Sequence, residues 1–380
     1  MRVALISFHR GGMAHYAAML ARALVTCPSV TRVAGMVCED FPGDGLPAEV
    51  QRFGFSVPHS IGPGDWGRWL RAPGTIAELW RHVQAWQPDV VHVNSGHLWY
   101  NPLVARLARS FPLVYTLHDV RPHAGAWHPY ERLKVAPLLR RADCVILHSE
   151  ALRRQACDRY GLPADRTATV PCGLLRLPSP ADGPATEEPG LLLLPGRVRP
   201  YKGYEVLLDA LPQIVAAVPE VRVAIVGQGS VRSWRSRLDR HAERVTVVNR
   251  FLSEPELLGW FERAGVVVLP YRSASQSGVA LMAAACGKPV VASRVGAIPE
   301  VVEDGVTGRL VAPDRPAELA EAVVGLLQDP ERRRRMGAEA RRRCEQRFGD
   351  RATGRRHVEI YERVMARRRA HAGATGPGGL

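Results

Sequence analysis

Short apolar runs recur along the whole chain, each followed by a turn of Gly, Ser, His or Pro and then by a longer stretch of mixed character. Val3 to Phe8, Val33 to Cys38, Asp89 to Val93, Leu113 to Leu117 and Asp143 to Leu147 are too short for helices. They suit strands covered on both faces of a parallel sheet. Helices are expected between them, among others from about Ala14 to Leu24 and from Ala151 to Tyr160. The pattern restarts at Leu191 to Leu194 and continues through Val221 to Val226, Val245 to Val248, Val266 to Leu269 and Pro289 to Ser293. Here helices are expected from Gly203 to about Val218, from Gly278 to Cys286, near Pro299, and from about Pro316 onward. Ser277 caps the second of these and Gly287 stops it. Alternation of this kind predicts an α/β protein with two Rossmann-like domains, each on a parallel sheet. The Gly- and Pro-dense segment 42–64 reads as loop.

Pro, Gly, Ala and acidic residues accumulate from Leu175 to Pro189, where the chain passes from one half to the other. The expected organisation is a first domain over 1–172, a linker over 173–190 and a second domain over 191–345. A C-terminal helix over 346–369 is expected to pack back toward the first domain, with a disordered tail over 370–380.

A chain of 380 residues is long enough for two domains with separate cores, and its 46% hydrophobic and 23% charged content is that of a globular protein. No run approaches the roughly 18 to 20 apolar residues of a membrane span. Met1 to Ser7 reads as a first strand instead of a secretory leader, so a cytoplasmic location is expected. The net charge of +14 is uneven: residues 331–380 hold 15 Arg against 6 acidic residues, which leaves +5 for the rest. The runs Arg332 to Arg335 and Arg341 to Arg343 read first as a solvated helix face and next as a contact for an anionic membrane surface. No nucleic-acid module accompanies them, so nucleic acid is not an expected partner. Trp66-Gly67-Arg68-Trp69-Leu70-Arg71 joins aromatic and basic groups, and reads as an exposed helix start ahead of a membrane-interface patch. Seven cysteines form no CxxC or zinc-type spacing, so reduced thiols and no structural metal are expected.

In an open parallel sheet, residues just past the strand ends line the ligand crevice. In the first half these include Gly11 and Gly12, the group His92, Asn94, Ser95 and His97, and His118 with Asp119. In the second half they are Gly196 to Gly203, Gly227 to Ser230 and Ser275 to Val279. The last of these, a Ser/Gly turn opening a helix of small residues, would present free backbone N–H groups and a positive dipole end to a phosphate. The same residues also make an ordinary strand-to-helix turn. Arg197 and Lys202 share one turn. Together with that helix start they would neutralise a diphosphate and stabilise it as a leaving group, although each alone is an ordinary surface cation. No GxGxxG follows the first strand, which disfavours an NAD-dependent dehydrogenase.

In this order and spacing the motifs resemble the retaining glycosyltransferases of family 4, with the GT-B architecture of two facing Rossmann-like domains and a cleft between them. The carriers are Gly11-Gly12, Thr116-Leu117-His118-Asp119, Gly196-Arg197 with Lys202-Gly203, and Val226-Gly227-Gln228-Gly229. To these are added Cys286 to Ser293, Gly296 to Glu300 and Asp304 to Gly308, so that the resemblance spans most of residues 1–365. It implies a nucleotide-diphosphate sugar as co-substrate, a UDP-sugar ahead of a GDP-sugar, with no other cofactor and no metal. Arg197, Lys202 and the backbone at Ser277, Gly278 and Val279 would bind the diphosphate. Gly11, Gly12, Gly196, Gly227, Gln276 and Glu300 would complete the donor contacts, and His118 would meet the donor sugar at the reacting centre. The sugar would pass to an acceptor hydroxyl with retention, yielding a glycan, glycolipid or glycosylated natural product. His92, Asn94, Asp119 and His123 suit a small polar acceptor, and Trp66 and Trp69 a lipid-linked one. One departure stands out: Ser275-Gln276 and Met282-Ala283 occupy the places where many members carry two glutamates, as in a Gln-Ser-Gly variant. That departure motivates a second reading, a catalytically silent GT-B partner protein. A third is a sugar-nucleotide epimerase.

Overall fold

The computed structural model describes residues 1–9, 12–41, 45–59, 62–120, 128–174, 183, 185–274 and 278–374. It divides into two units, Met1–Gly173 with Phe348–Leu380, and Leu174–Arg347.

The first unit carries strands β1 (Arg2–Ser7), β2 (Arg32–Cys38), β3 (Gln51–Phe55), β4 (Val90–Val93), β5 (Leu113–Thr116), β6 (Cys144–Leu147) and β7 (Thr167–Thr169). Helices α1 (Gly12–Val25), α2 (Trp66–Trp86), α3 (Asn101–Ser110), α4 (His128–Arg141) and α5 (Glu150–Tyr160) connect them. The strands form one parallel sheet in the order β3-β2-β1-β4-β5-β6-β7. Every residue of β4, β5 and β6 is buried, as their mainly apolar runs lead one to expect, and polar His92 and Thr116 are buried with them. The strand order reverses between β1 and β4, the position where open sheets of this kind accept ligands.

Strand β3 lies inside the segment read as loop from its Gly and Pro content. It is an edge strand whose Gln51, Arg52 and Gly54 face solvent, so its sequence carries no apolar signature.

The second unit repeats the plan with β8 (Glu188–Pro195), β9 (Arg222–Val226), β10 (Val245–Val248), β11 (Ala264–Leu269), β12 (Val290–Ser293) and β13 (Gly308–Val311). The order is β10-β9-β8-β11-β12-β13, all parallel, with its reversal between β8 and β11. Helices α6 (Tyr204–Ala217), α7 (Arg235–Asp239), α8 (Glu254–Arg263), α9 (Gly278–Ala285), α10 (Ile298–Val301) and α11 (Pro316–Leu327) cover it. Ser253 and Glu256 close a reciprocal capping box at the start of α8.

The chain ends in α12 (Pro330–Phe348) and α13 (Asp350–Ala374). Helix α13 crosses α1 closely at Gly354, where a methyl group would overlap the Ala23 carbonyl and come within 2.6 Å of Cys27 Sγ. Arg368 on α13 pairs with Asp143 at 2.8 Å. Helix runs through Ala374, beyond the point where a disordered tail is expected from Ala370, and 375–380 lie outside the described residues. Not all of the arginine run is solvated either: Arg333 is 4% exposed and pairs with Glu187 at 3.4 Å.

Candidate active site

In the second unit the ligand-side turns after β8, β9 and β11 converge on Lys202. Gly196 (φ +98°) ends β8 and stands so close to this side chain that a Cβ there would lie 2.6 Å from Lys202 Nζ and 3.7 Å from Val279 Cγ2. Val279 belongs to the first turn of α9, so the loop after β8, the lysine and the start of that helix meet at one point. Gly203 (φ +66°) lets the same loop pass the Pro270 carbonyl, and Gly227 (φ +138°) lets the β9 turn pass the Gly196 carbonyl. Gly296 lies against the Ala274 carbonyl, which brings the turn after β12 alongside.

Lys202 is 5% exposed. Among the described residues its ammonium donates one hydrogen bond, to the Pro195 carbonyl at 2.9 Å, and no carboxylate lies within ion-pair distance. Its ammonium also stands 5.2 Å from the centre of the Tyr271 ring. Burial, and then the neighbouring Arg197, pull the lysine down to about 8. Arg197 is exposed and has no ion-pair partner among the described residues. Among the described residues the hydroxyl of buried Tyr271 has no hydrogen-bond partner. A site of this kind has spare positive charge and spare donors, and it suits an anionic ligand.

In the first unit the strand ends gather histidines. His118 lies just past β5, with Nε2 3.0 Å from both the Asn94 carbonyl and Asn94 Oδ1, and Nδ1 2.9 Å from His148 Nε2. His148, past β6, reaches the Val170 carbonyl with Nδ1 at 3.1 Å. The Tyr16 ring of α1 stands edge-on to both imidazoles, at 4.6 and 5.0 Å between centres. Asn94 donates to Ser7 Oγ at 3.0 Å and to the Met13 carbonyl at 2.9 Å, which ties the ends of β1 and β4 together. His9 contacts Ser95 Oγ through Nδ1 at 2.7 Å. Burial is the largest cause of low basicity throughout. It lowers His9 to about 4 and His97 to about 3, with Lys134 and neighbouring histidines adding to it. The step that would charge His118 lies well below the ordinary histidine range through burial and the adjacent His148, and that for His148 is lowered by burial to about 4.

Gly196, Gly227, Gly278, Val279, Arg197 and Lys202 all lie on the ligand side of the second sheet, and Glu300 sits half-buried on α10. Gly12 opens α1, His118 is half-buried and Asp119 is exposed. Gly11, His123, Gln276 and Ser277 lie outside the described residues. Two acceptor-side expectations change. His92 is fully buried within β4, with Nδ1 2.6 Å from the Tyr361 hydroxyl and Nε2 2.8 Å from Thr116 Oγ1, so both ring nitrogens are engaged in bracing the sheet against α13. Asn94 is 1% exposed and holds His118.

Sequence reasoning missed His148 and Tyr271 as site residues, although each follows a strand end, a position that could have found them. Tyr16, His357 and Tyr361 gave no such signal, because helix contacts bring them in. Cys38, Asp40 and His59 place three ligand-type atoms within 4.8 Å of one another, a grouping invisible in their spacing. None of the seven cysteines is joined in a disulfide among the described residues. Among the described residues no helix is long and apolar enough to cross a membrane. Trp66 and Leu70, one turn apart on α2, are 61% and 83% exposed.

Two Rossmann-like parallel-sheet units, the second with a cationic, glycine-lined turn at its strand reversal, are the fold of GT-B proteins. The family pattern described as Glycosyltransferase Family 4 matches residues 10–174, and that of Glycosyl transferases group 1 matches residues 189–329. D-inositol 3-phosphate glycosyltransferase 2 of Catenulispora acidiphila is 32% identical over 312 residues, covering 74% of this chain and 72% of that protein. Among solved structures, sucrose-phosphate synthase from Thermosynechococcus elongatus has a TM-score of 0.68 at 22% identity, covering 96% of this chain and 99% of its own. Anabaena Alr3699/HepE in complex with UDP has a TM-score of 0.67 at 22% identity, covering 95% and 100%. The chain belongs to the family 4 glycosyltransferases.

Proposed function

We propose that the protein transfers a sugar from a UDP-sugar to an acceptor hydroxyl with retention of anomeric configuration. The observation that carries this reading is Lys202: a buried ammonium with no carboxylate partner among the described residues, beside the exposed cation of Arg197 and the start of α9. Such a charge is costly to bury and is stabilised when an anion arrives. The uridine assignment draws on the UDP complex of the Anabaena relative in fold.

In this reaction the bond between the anomeric carbon and the phosphate oxygen breaks while the acceptor oxygen bonds to that carbon from the same face. The acceptor proton passes to a donor phosphate oxygen. Arg197, Lys202 and the amides of Gly278 and Val279 stabilise the charge that builds on the diphosphate. His118 is not the base. Asn94 engages its Nε2 and His148 its Nδ1, so neither ring nitrogen is left to take the acceptor's proton. The cationic side chains meet the diphosphate charge without a divalent metal.

The acceptor is a small polar hydroxyl compound, and D-inositol 3-phosphate, which appears in the name of the Catenulispora relative, is the first to assay. The test is a donor screen by mass spectrometry over UDP-, GDP- and dTDP-sugars, followed by acceptor screening with the best donor. Transfer from a UDP-sugar is expected. A protein that binds none of these donors is the silent partner protein instead.

A further inference from the structure

The ligand-side ends of β2 and β3 bring together three side chains that the transfer reaction does not use. Cys38 is the last residue of β2 and is fully buried. The Phe41 N–H donates to the Cys38 carbonyl at 3.0 Å, closing a tight turn that includes Asp40. The Glu39 N–H donates to the Phe55 carbonyl at 3.0 Å, so the ladder between β2 and β3 continues past Cys38. The chain leaving β3 is thereby set alongside that turn. Val57 on it is 1% exposed, and the His59 N–H donates to Asp65 Oδ2 at 3.2 Å, just ahead of α2. The backbone thus holds Cys38, Asp40 and His59 together with no help from a ligand.

The outcome is a thiol, a carboxylate and an imidazole whose ligand atoms all lie within 4.8 Å of one another. Asp40 Oδ1 and His59 Nε2 are 3.3 Å apart. Tetrahedral zinc, bonded at about 2.1 Å to nitrogen and oxygen and about 2.3 Å to sulfur, sets nitrogen and oxygen about 3.4 Å apart and each about 3.6 Å from sulfur. The edge between Asp40 and His59 already has that length. Exposed Asp40 and half-buried His59 need to move by only about 1 Å to complete the other two edges with the buried sulfur. An ion pair between Asp40 and a protonated His59 would account for one edge alone. A divalent ion accounts for all three, and the thiolate and carboxylate together cancel its charge. Sulfur beside nitrogen and oxygen suits zinc, whereas magnesium and calcium take shells of oxygen.

We propose that Cys38, Asp40 and His59 bind one zinc ion, with water in the fourth position. On binding, the Cys38 thiol proton passes to solvent as the zinc–sulfur bond forms, and the neutral imidazole donates a lone pair. The ion clips the turn after β2 to the segment after β3, an edge strand of which only Phe55 is buried. Sugar transfer is assigned no step at this ion, so the proposal stands apart from the transferase reading, and a chelator is expected to strip the zinc while leaving transfer unchanged.

The test is the metal content of tag-free, full-length protein loaded with zinc and desalted, with cobalt(II) as a spectroscopic probe. About one equivalent of zinc is expected, and the cobalt form is expected to show a thiolate-to-cobalt charge-transfer band. Asp40→Asn and His59→Gln change side chains that reach solvent, so both are expected to fold as wild type and to lower zinc affinity at least about tenfold. Cys38→Ala is expected to abolish the charge-transfer band, and Cys157→Ala, a half-buried thiol on α5, to leave it unchanged. Zinc is expected to raise the thermal midpoint of wild type by about 3 °C or more, and that of Asp40→Asn and His59→Gln by less. Wild type that retains no zinc would overturn the proposal. So would wild-type affinity in both Asp40→Asn and His59→Gln, which would put the ion on other ligands. Zinc bound with no rise in midpoint would overturn the clip.

Discussion

Replacing Lys202 by Met separates function from stability in opposite directions. Burial beside Arg197 takes the lysine from 10.5 to about 8, a difference that corresponds to roughly 3 kcal/mol of cost for the ammonium in the folded protein. Because the folded value lies below the unfolded one, the unfolded chain binds more protons between about pH 8 and 10.5. The cost is thus present in full below about pH 8 and disappears as pH rises through that window. Met has a similar length and carries no charge, but it forfeits the bond to the Pro195 carbonyl, worth about 1 kcal/mol.

Lys202→Met is therefore expected to be about 2 kcal/mol more stable than wild type at pH 7 and about 1 kcal/mol less stable at pH 10.5 and above. For a unit of this size the pH 7 gain is a rise of roughly 4–8 °C in midpoint. Thermal unfolding of both proteins at the two pH values, with sugar transfer measured alongside, checks it, and transfer is expected to be lost. If the variant were equally destabilised at both pH values, the ammonium would be fully compensated within the protein. The argument for an anionic ligand there would then fail.

Gly203→Ala is expected to cost at least about 2 kcal/mol in urea unfolding and to lower transfer, because the residue sits at φ +66° against the Pro270 carbonyl and sets the course of the lysine turn. Tyr271→Phe gives up no protein hydrogen bond among the described residues, so stability is expected to stay within about 0.5 kcal/mol. A loss above about 1 kcal/mol would reveal an internal partner for the hydroxyl. Transfer should proceed at full rate in EDTA, and a loss restored by magnesium would show that the side-chain cations do not suffice.

Most strands were legible as apolar runs: the edge strand β10 was bounded to the residue, and β5, β6 and β11, buried throughout, to within two. What escaped were elements whose residues face solvent or whose runs are short. Strand β3, an edge strand reading Gln-Arg-Phe-Gly-Phe, looks like loop, and β13 is four residues that open on glycine. The second unit's cationic turn was legible since its chemistry is local: Arg197, Lys202 and the glycines are neighbours in sequence. The first unit's histidine network was not, because it is assembled from β4, β5, β6, α1 and a helix some 270 residues away, as the bond between His92 and Tyr361 shows. Strand-end position alone could not tell His118, at the surface of that network, from His92, buried inside it.

The most direct measurement is calorimetric titration of UDP into wild type, Arg197→Ala, Lys202→Met and the double variant, each verified as folded. The account predicts measurable binding to wild type, a loss of roughly 10- to 100-fold for each single change, and none detectable for the double variant. Wild-type affinity in the double variant would contradict it, and would place the nucleotide away from the turn between β8 and α6.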